Sequence, residues 1–264
     1  MSDRPSPIAA RWRTLAADDS AAFLPYVTAG FPTPALSRDA LQRVARAGAD
    51  FVEVGVPFSD PLADGPTIQR TTQAALEQGM TVPRVLELIR EAALDIPVVI
   101  MTYLNPVMAY GFERFARDAR AAGAAGVLLT DLPAGADPTI ERTMVASGLD
   151  VIRLVAPTTD DARLTDAVAS ATGFVYLISR LGVTGARADA PAGLAQQVDR
   201  IRAVTDLPVA VGFGIGTPAQ ARAAARQADG VAVGSALMDT LASGGVEAME
   251  RLARDLAAAV HAPR

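Results

Sequence analysis

Three carboxylates lie close together between Phe51 and Pro66, and they are the residues of this sequence best suited to acid–base chemistry. Glu53 interrupts an apolar, β-branched run that is typical of a buried strand. Asp60 and Asp64 follow in a loop rich in proline and glycine. Because a charged side chain in an apolar strand costs on the order of several kcal/mol unless it is paired or neutralised, this pattern indicates proton transfer at the end of a strand.

Each of these acids also has a purely structural interpretation. Glu53 could pair with an arginine of an outer helix instead of facing the inside of the fold. Asp64 precedes Gly65, and Asp-Gly pairs commonly form turns, as does an aspartate before proline such as Asp60. If Glu53 does face a desolvated cavity, burial should raise its pKa, so that it could donate and take back a proton near neutral pH.

Missing residue types limit the chemistry further. The chain has no cysteine, its single histidine is His261, and all 24 basic residues are arginine. Disulfides, thiolate nucleophiles and cysteine-bound metals are therefore excluded, and a histidine-based metal site or proton relay is not expected. Without lysine the chain cannot form a Schiff base. We expect no metal and no cofactor in this chain, so that catalysis falls to carboxylates, tyrosines, arginines, hydroxyls or the backbone.

Composition and charge indicate a cytoplasmic, soluble protein rather than a nucleic-acid or membrane protein. The net charge is -5, which argues against a nucleic-acid surface. No apolar run approaches the roughly 20 residues of a membrane span, and the N-terminus lacks the apolar segment of a signal peptide. With 50% hydrophobic residues among 264, the chain can bury a large core. No low-complexity linker divides it, so residues 1–264 are predicted to form one domain.

Eight short apolar runs alternate with segments of helical character. Most runs are continuous rather than alternating, as expected of parallel strands covered by helices. The predicted strands are Phe23–Thr28, Phe51–Gly55, Val98–Thr102, Gly126–Thr130, Val151–Val155, Phe174–Ser179, Val209–Gly212 and Gly230–Val233. The predicted helices are 7–17, 34–46, Val82–Leu94, Phe112–Ala122, Pro138–Ala146, Asp160–Ser170, Pro191–Val204, Pro218–Gln227 and Ser235–Val260, the last being one helix or a pair.

Eight strand-then-helix units in a chain of this length predict a single (β/α)8 TIM barrel with an extra N-terminal helix. The alternative is a doubly wound open sheet, but the glycine-rich dinucleotide turn after the first strand is missing. In such a barrel the active site is formed by loops at the carboxyl ends of the strands.

Glycine-rich loops after the last three strands are candidates for a phosphate site. They are Ser179–Gly185, Gly212–Pro218 and the Gly234-Ser235 turn. Glycines there let backbone N–H groups approach an anion, and a helix N-terminus adds its positive dipole end. The loops after strands 7 and 8 are where such barrels commonly bind phosphate. The alternative is that these glycines only form tight turns.

Three further residues are expected at the same face of the barrel. Tyr176, in the sixth strand, could present its hydroxyl to the site, although a half-buried strand tyrosine with a satisfied hydroxyl is the more common case. Asn105 and Asp131 follow the third and fourth strands, and the sequence assigns neither of them a role.

Long motifs in these loops closely resemble the tryptophan synthase alpha chain family. The motifs are Pro25–Gly30, Val54–Gln69, Tyr176–Gly185, Gly212–Ile215 and Gly234–Ala236, and together they span nearly the whole chain. The resemblance implies a TIM-barrel lyase that splits indole-3-glycerol phosphate into indole and glyceraldehyde 3-phosphate by retro-aldol cleavage. Tyr26 and Met101 stand where other apolar residues would be expected around the indole.

The resemblance also assigns roles to residues. Glu53 matches the glutamate that protonates the indole C3 and helps to deprotonate the C3′ hydroxyl, and Asp64 matches the aspartate that holds the indole N–H. Tyr176 matches a tyrosine near the substrate, and Thr184 belongs to a lid that closes onto the aspartate. The positions that match the phosphate site are Gly185, Phe213, Gly214, Gly234 and Ser235.

The family works as an α2β2 complex with a tryptophan synthase beta chain, which carries pyridoxal phosphate and receives indole through a tunnel. By this resemblance Phe58–Asp60 and Asn105-Pro106 would contact the beta chain, and the partner would order the lids. Two alternatives remain at this point, namely another phosphate-binding barrel enzyme such as an isomerase, and a non-catalytic subunit that only regulates a partner.

Overall fold

A computed structural model describes residues 5–133, 135–178, 193–212 and 214–263. Within these ranges eight parallel strands close into a barrel in sequence order, each hydrogen-bonded to the next and the eighth to the first. The strands are β1 (Ala22–Thr28), β2 (Val52–Gly55), β3 (Val98–Thr102), β4 (Ala124–Leu129), β5 (Asp150–Val155), β6 (Val175–Ile178), β7 (Val209–Gly212) and β8 (Gly230–Val233). The predicted barrel is confirmed, and each predicted strand lies within two residues of an observed one where the structure describes it.

Helices surround the barrel and precede it. They are α1 (Pro7–Ala17), α2 (Pro34–Arg46), α3 (Pro66–Glu77), α4 (Val82–Ala92), α5 (Leu104–Tyr110), α6 (Phe112–Ala122), α7 (Pro138–Ala146), α8 (Asp161–Ala169), α9 (Leu194–Arg202), α10 (Pro218–Ala225) and α11 (Ser235–Val260). The prediction missed α3 and α5. The predicted last helix or pair is α11, which is interrupted at Gly245, where the backbone leaves the helical region with φ at 75°. That residues 1–264 form a single domain stays a prediction.

The strands bury both faces, because successive side chains point alternately into the barrel and outward to the helices. Val27, Val54 and Ile100 pack with the surrounding helices. Leu24 and Val99 pack inside the barrel. Continuous apolar runs are therefore required, and the sequence provides them.

The extra helix α1 closes the amino end of the barrel. Trp12 packs its ring 4.9 Å from that of Phe51 and 5.7 Å from that of Phe174, and both phenylalanines directly precede strands. Gly230, at the start of β8, leaves room for this indole ring, with which a Cβ there would collide. Helix α1 thus fills the amino end of the barrel interior with aromatic side chains.

A buried carboxylate ties both chain ends to this amino end. Asp50 is fully buried and accepts a hydrogen bond of 2.7 Å from the backbone N–H of Phe23. It also pairs with Arg11 of α1 and lies 2.8 Å from Nε2 of His261. The single histidine thus has a structural contact far from the carboxyl ends of the strands.

The helices in the described ranges are all too short or too polar to cross a membrane.

Candidate active site

A cavity of about 290 Å³ opens at the carboxyl ends of the strands. Side chains of β1, β2, β3, β6 and β8 form its floor, and the segments that follow β2, β7 and β8 form its walls. It is lined by Tyr26, Glu53, Asp64, Gly65, Ile68, Met101, Tyr176, Gly214, Ile215, Gly216, Ala232, Gly234, Ser235, Ala236 and Asp239. Six of the nine residues predicted for the site therefore meet at one cavity. The other three, Thr184, Gly185 and Phe213, lie outside the described residues.

Glu53 points into this cavity from the floor of the barrel. Its neighbours Val52 and Val54 pack against the outer helices, so the alternation of the strand turns Glu53 inward. The residue is only 1% exposed, and its Oε1 atom has no hydrogen-bond partner in the described part of the chain. Burial raises the pKa of Glu53 from 4.5 to about 8, because the charged form is desolvated. At neutral pH the side chain is mostly a protonated acid.

Asp64 reaches the same cavity from the loop between β2 and α3. Its N–H is bonded to the Pro61 carbonyl at 3.0 Å, so Asp64 closes a turn that lies before the Asp-Gly pair, and Gly65 is the N-cap of α3. The side chain is half-buried, and burial raises its pKa to about 6, whereas a hydrogen bond from Tyr103 acts in the opposite direction. Asp64 is therefore mostly ionised at neutral pH. Asp64 thus lines the cavity, as the acid–base interpretation expects.

Two buried phenols flank Glu53. Tyr176 is 5% exposed, and its hydroxyl occupies the space above Gly212, where a Cβ would collide with it. Tyr26 lies in the same way above Gly55. The pKa of Tyr176 is raised first by burial and then by the nearby carboxylate of Glu53, so the phenol stays protonated. The strand-ending glycines are thus needed to admit these two hydroxyls.

The opposite wall of the cavity offers backbone donors. Thr217 and Gln220 form a capping box at the start of α10, and the Gln220 side chain also accepts from the backbone N–H of Gly216 at 3.0 Å. The start of α11, at Gly234 and Ser235, has no side-chain hydrogen bond to cap it. Its N–H groups and positive dipole end therefore remain available to an anion.

Comparison with known proteins decides the family. A family model described as the tryptophan synthase alpha chain matches residues 12–262. The chain belongs to this family. The alpha chains of Granulibacter bethesdensis and Gluconacetobacter diazotrophicus are 48% and 50% identical to it, covering 90% and 89% of this chain and 86% and 87% of those relatives.

Solved structures agree in fold with this assignment. Tryptophan synthase from M. tuberculosis in its aminoacrylate-bound form matches with a TM-score of 0.88 at 37% identity, covering 97% of this chain and 100% of that one. The alpha subunit from Legionella pneumophila matches with a TM-score of 0.90 at 34% identity, covering 97% of this chain and 99% of that one. As a member of the tryptophan synthase alpha chain family, the protein is a lyase subunit of an enzyme of tryptophan biosynthesis.

The other polar residues singled out in the sequence lie away from the cavity lining. Asp131 accepts a hydrogen bond of 2.7 Å from the backbone N–H of Leu104 and so fixes the start of α5. Asp60 and Asn105 are exposed. Conversely, no sequence pattern indicates Tyr103, which contacts the loop that carries Asp64.

A second, larger hollow of about 460 Å³ lies near Trp12, Leu207 and Asp229. These residues belong to α1 and to the segments that enter β7 and β8, so the hollow is at the amino end of the barrel. Since barrel enzymes place their chemistry at the carboxyl ends of the strands, the cavity around Glu53 is the candidate active site.

Proposed function

We propose that this chain catalyses the alpha reaction of tryptophan synthase, the retro-aldol cleavage of indole-3-glycerol phosphate to indole and D-glyceraldehyde 3-phosphate. The observation that carries the proposal is a pair of carboxyl groups in one cavity, one protonated and one ionised at neutral pH. Their pKa values, about 8 for Glu53 and about 6 for Asp64, both follow from burial. This cleavage requires one carboxyl group that can donate a proton and a second that is negatively charged.

The mechanism uses the substrate itself to hold the electrons of the breaking bond. Glu53 donates its proton to C3 of the indole, and the resulting cation is stabilised by Asp64, which accepts a hydrogen bond from the ring N–H. The glycerol C3′ hydroxyl then loses its proton to the Glu53 carboxylate. The C3–C3′ bond breaks, its electron pair restores the aromatic indole, and C3′ becomes the aldehyde carbon. Glu53 ends protonated, as it began.

The phosphate would be held at the uncapped start of α11. Gly214, Gly234 and Ser235 line the cavity there, and they supply backbone N–H groups and a hydroxyl. We assign Phe213 and Gly185 to the same role and Thr184 to a lid, on the sequence motifs alone. The aromatic floor around Tyr176 suits an indole ring.

The partner would be a tryptophan synthase beta chain in an α2β2 complex in the cytoplasm, with pyridoxal phosphate bound only to the beta chain. The proposed contact includes Phe58–Asp60 and Asn105-Pro106. Apolar side chains exposed near these segments support it, since Leu62 is 94% and Met108 is 56% exposed.

The test is indole release from indole-3-glycerol phosphate, measured with and without the beta chain. Glu53→Gln and Asp64→Asn should each lower kcat by about 10²–10⁴-fold, while the fold and the affinity for glycerol 3-phosphate stay unchanged. Glu113→Gln, at an exposed glutamate of α6, is the control and should match the parent chain. Parent-like rates in both active-site variants, or turnover of another sugar phosphate without indole release, would contradict the proposal.

A further inference from the structure

The loop that carries Asp64, residues 56–65, is attached to the barrel by a tyrosine from a different strand. Tyr103 directly follows β3 and is 5% exposed. Its hydroxyl oxygen accepts a hydrogen bond of 3.0 Å from the backbone N–H of Ala63. Its ring packs 5.2 Å from the ring of Phe58, near the other end of the loop. One side chain therefore contacts the loop at two points that lie five positions apart.

We infer that Tyr103 is a positioning residue, which holds Asp64 at the cavity and keeps its carboxylate ionised by donating a hydrogen bond to it. The inference deepens the proposed function, and only its kinetic readout rests on that function. Because the phenol oxygen already accepts from Ala63, its own O–H is free to donate to the neighbouring carboxylate. A hydroxyl can do both at once, since it has one proton and two lone pairs.

Electrostatics at Asp64 support this arrangement. Burial raises the pKa of Asp64 to about 6, and the hydrogen bond from Tyr103 acts against that rise. Among the described residues, the other titratable groups that line the cavity are Tyr26 of β1, Glu53 of β2, Tyr176 of β6 and Asp239 of α11. None of these groups is a cation, so none can stabilise the Asp64 carboxylate by opposite charge. Within the described part of the chain, Tyr103 is thus the group that favours the ionised form.

The backbone next to Tyr103 is held in place, and this makes the hydrogen bond from Tyr103 to Asp64 effective. The backbone N–H of the next residue, Leu104, is bound by Asp131 at 2.7 Å, which holds the turn between β3 and α5. A hydrogen bond from a rigid donor to an ionised acceptor is stronger than one between neutral groups. A loop held in this way keeps Asp64 at one distance from the acid on the barrel floor.

The test compares Tyr103→Phe with Tyr110→Phe. Phenylalanine keeps the ring that packs on Phe58 and removes only the hydroxyl. Tyr110 is a matched control, because its hydroxyl donates to the carboxylate of Asp118 at 2.7 Å, far from the cavity. In Tyr103→Phe we expect kcat for indole release to fall by about 10–100-fold, KM to stay within about twofold, because the phosphate wall is untouched, and the acid limb of the pH–rate profile to move to higher pH. The control should behave as the parent chain. An unchanged acid limb in Tyr103→Phe would overturn the inference.

A second measurement uses the parent chain and needs neither activity nor a folded Tyr103→Phe. The chain has four tyrosines, so ¹³Cζ labelling of tyrosine gives few resonances to assign. The Tyr103 resonance should titrate near pH 6, following Asp64, and should lose this titration in Asp64→Asn, whereas the Tyr110 resonance should not respond. A Tyr103 resonance that is flat through this range would overturn the inference. Failure of the parent chain to cleave the substrate would instead refute the proposed function and leave this titration to decide.

Discussion

Replacing Glu53 by glutamine should stabilise the folded chain, and increasingly so as the pH rises. In the unfolded chain this glutamate ionises near pH 4.5, whereas burial keeps it protonated in the folded chain up to about pH 8. Between these values the folded state binds more protons than the unfolded state, so the free energy of unfolding falls as the pH rises. Below the lower value both states are protonated, and above the upper value both are ionised. Glutamine keeps the shape of the Glu53 side chain and removes its contribution to the pH dependence of the free energy of unfolding.

The magnitude follows from the width of that window. From pH 4.5 to about 8 the parent chain should lose roughly 5 kcal/mol relative to Glu53→Gln, at about 1.36 kcal/mol per pH unit. By pH 7 the loss should be roughly 3 kcal/mol, which corresponds to a melting-temperature difference on the order of 10 °C for a chain of this size. The buried amide adds a cost of its own, but that cost does not vary with pH. Because Asp64 titrates in both proteins, its contribution cancels in the difference between their free energies of unfolding.

The assay is urea unfolding of both proteins between pH 5 and 9. Fluorescence of the single tryptophan, Trp12, reports on the amino end of the barrel, and circular dichroism reports on the whole fold. The control is Glu113→Gln, whose difference from the parent chain should be small at every pH. If the stability difference between Glu53→Gln and the parent does not grow with pH, Glu53 is not held protonated by burial, and the acid assigned to the mechanism is wrong.

The remaining predictions concern the pH profile, the cavity floor and the amino end of the barrel. The kcat/KM for indole release should be bell-shaped, falling below about pH 6 as Asp64 is protonated and above about pH 8 as Glu53 ionises; a flat profile from pH 5 to 9 would contradict the roles assigned to them. Gly55→Ala should push aside the Tyr26 hydroxyl, lower the stability by about 1–3 kcal/mol and reduce kcat, as thermal melts and indole assays would record. Asp50→Asn should lower the unfolding free energy by about 1–3 kcal/mol, because the buried carboxylate that pairs with Arg11 and accepts from the Phe23 N–H is lost, while the KM of the folded enzyme stays unchanged.

Much of the barrel could be predicted from the sequence because its strands are buried on both faces. The predicted bounds of β3, β7 and β8 are the observed ones, since continuous β-branched runs have few other structures open to them. Helix α3 was missed because its buried face includes Thr71 and Thr72, so apolar residues do not mark its period. Helix α5 has seven residues, which are too few to show the helical spacing of apolar residues.

Residues of the site could be predicted only where the residue type is unusual for its place in the sequence. Glu53 stands out as a carboxylate in an apolar strand, and its inward orientation follows from the strand period once Val52 and Val54 are placed outside. Tyr103 has no such signal, because its role comes from a contact with Ala63, 40 positions away in sequence. Whether a phenol reaches a loop depends on how the barrel closes, which local patterns do not encode.

The difference between the two carboxyl groups arises from the elements that carry them. Glu53 lies on a strand inside the barrel, where burial desolvates its charged form, and its pKa therefore rises to about 8. Asp64 lies on a loop that is only half covered and is bonded to Tyr103, so its pKa rises less. Because two ionised carboxylates in one cavity would repel each other, the protonated state of Glu53 also allows Asp64 to remain an anion. The fold thus sets the acid by burial, and it sets the anion by weaker burial together with the hydrogen bond from Tyr103.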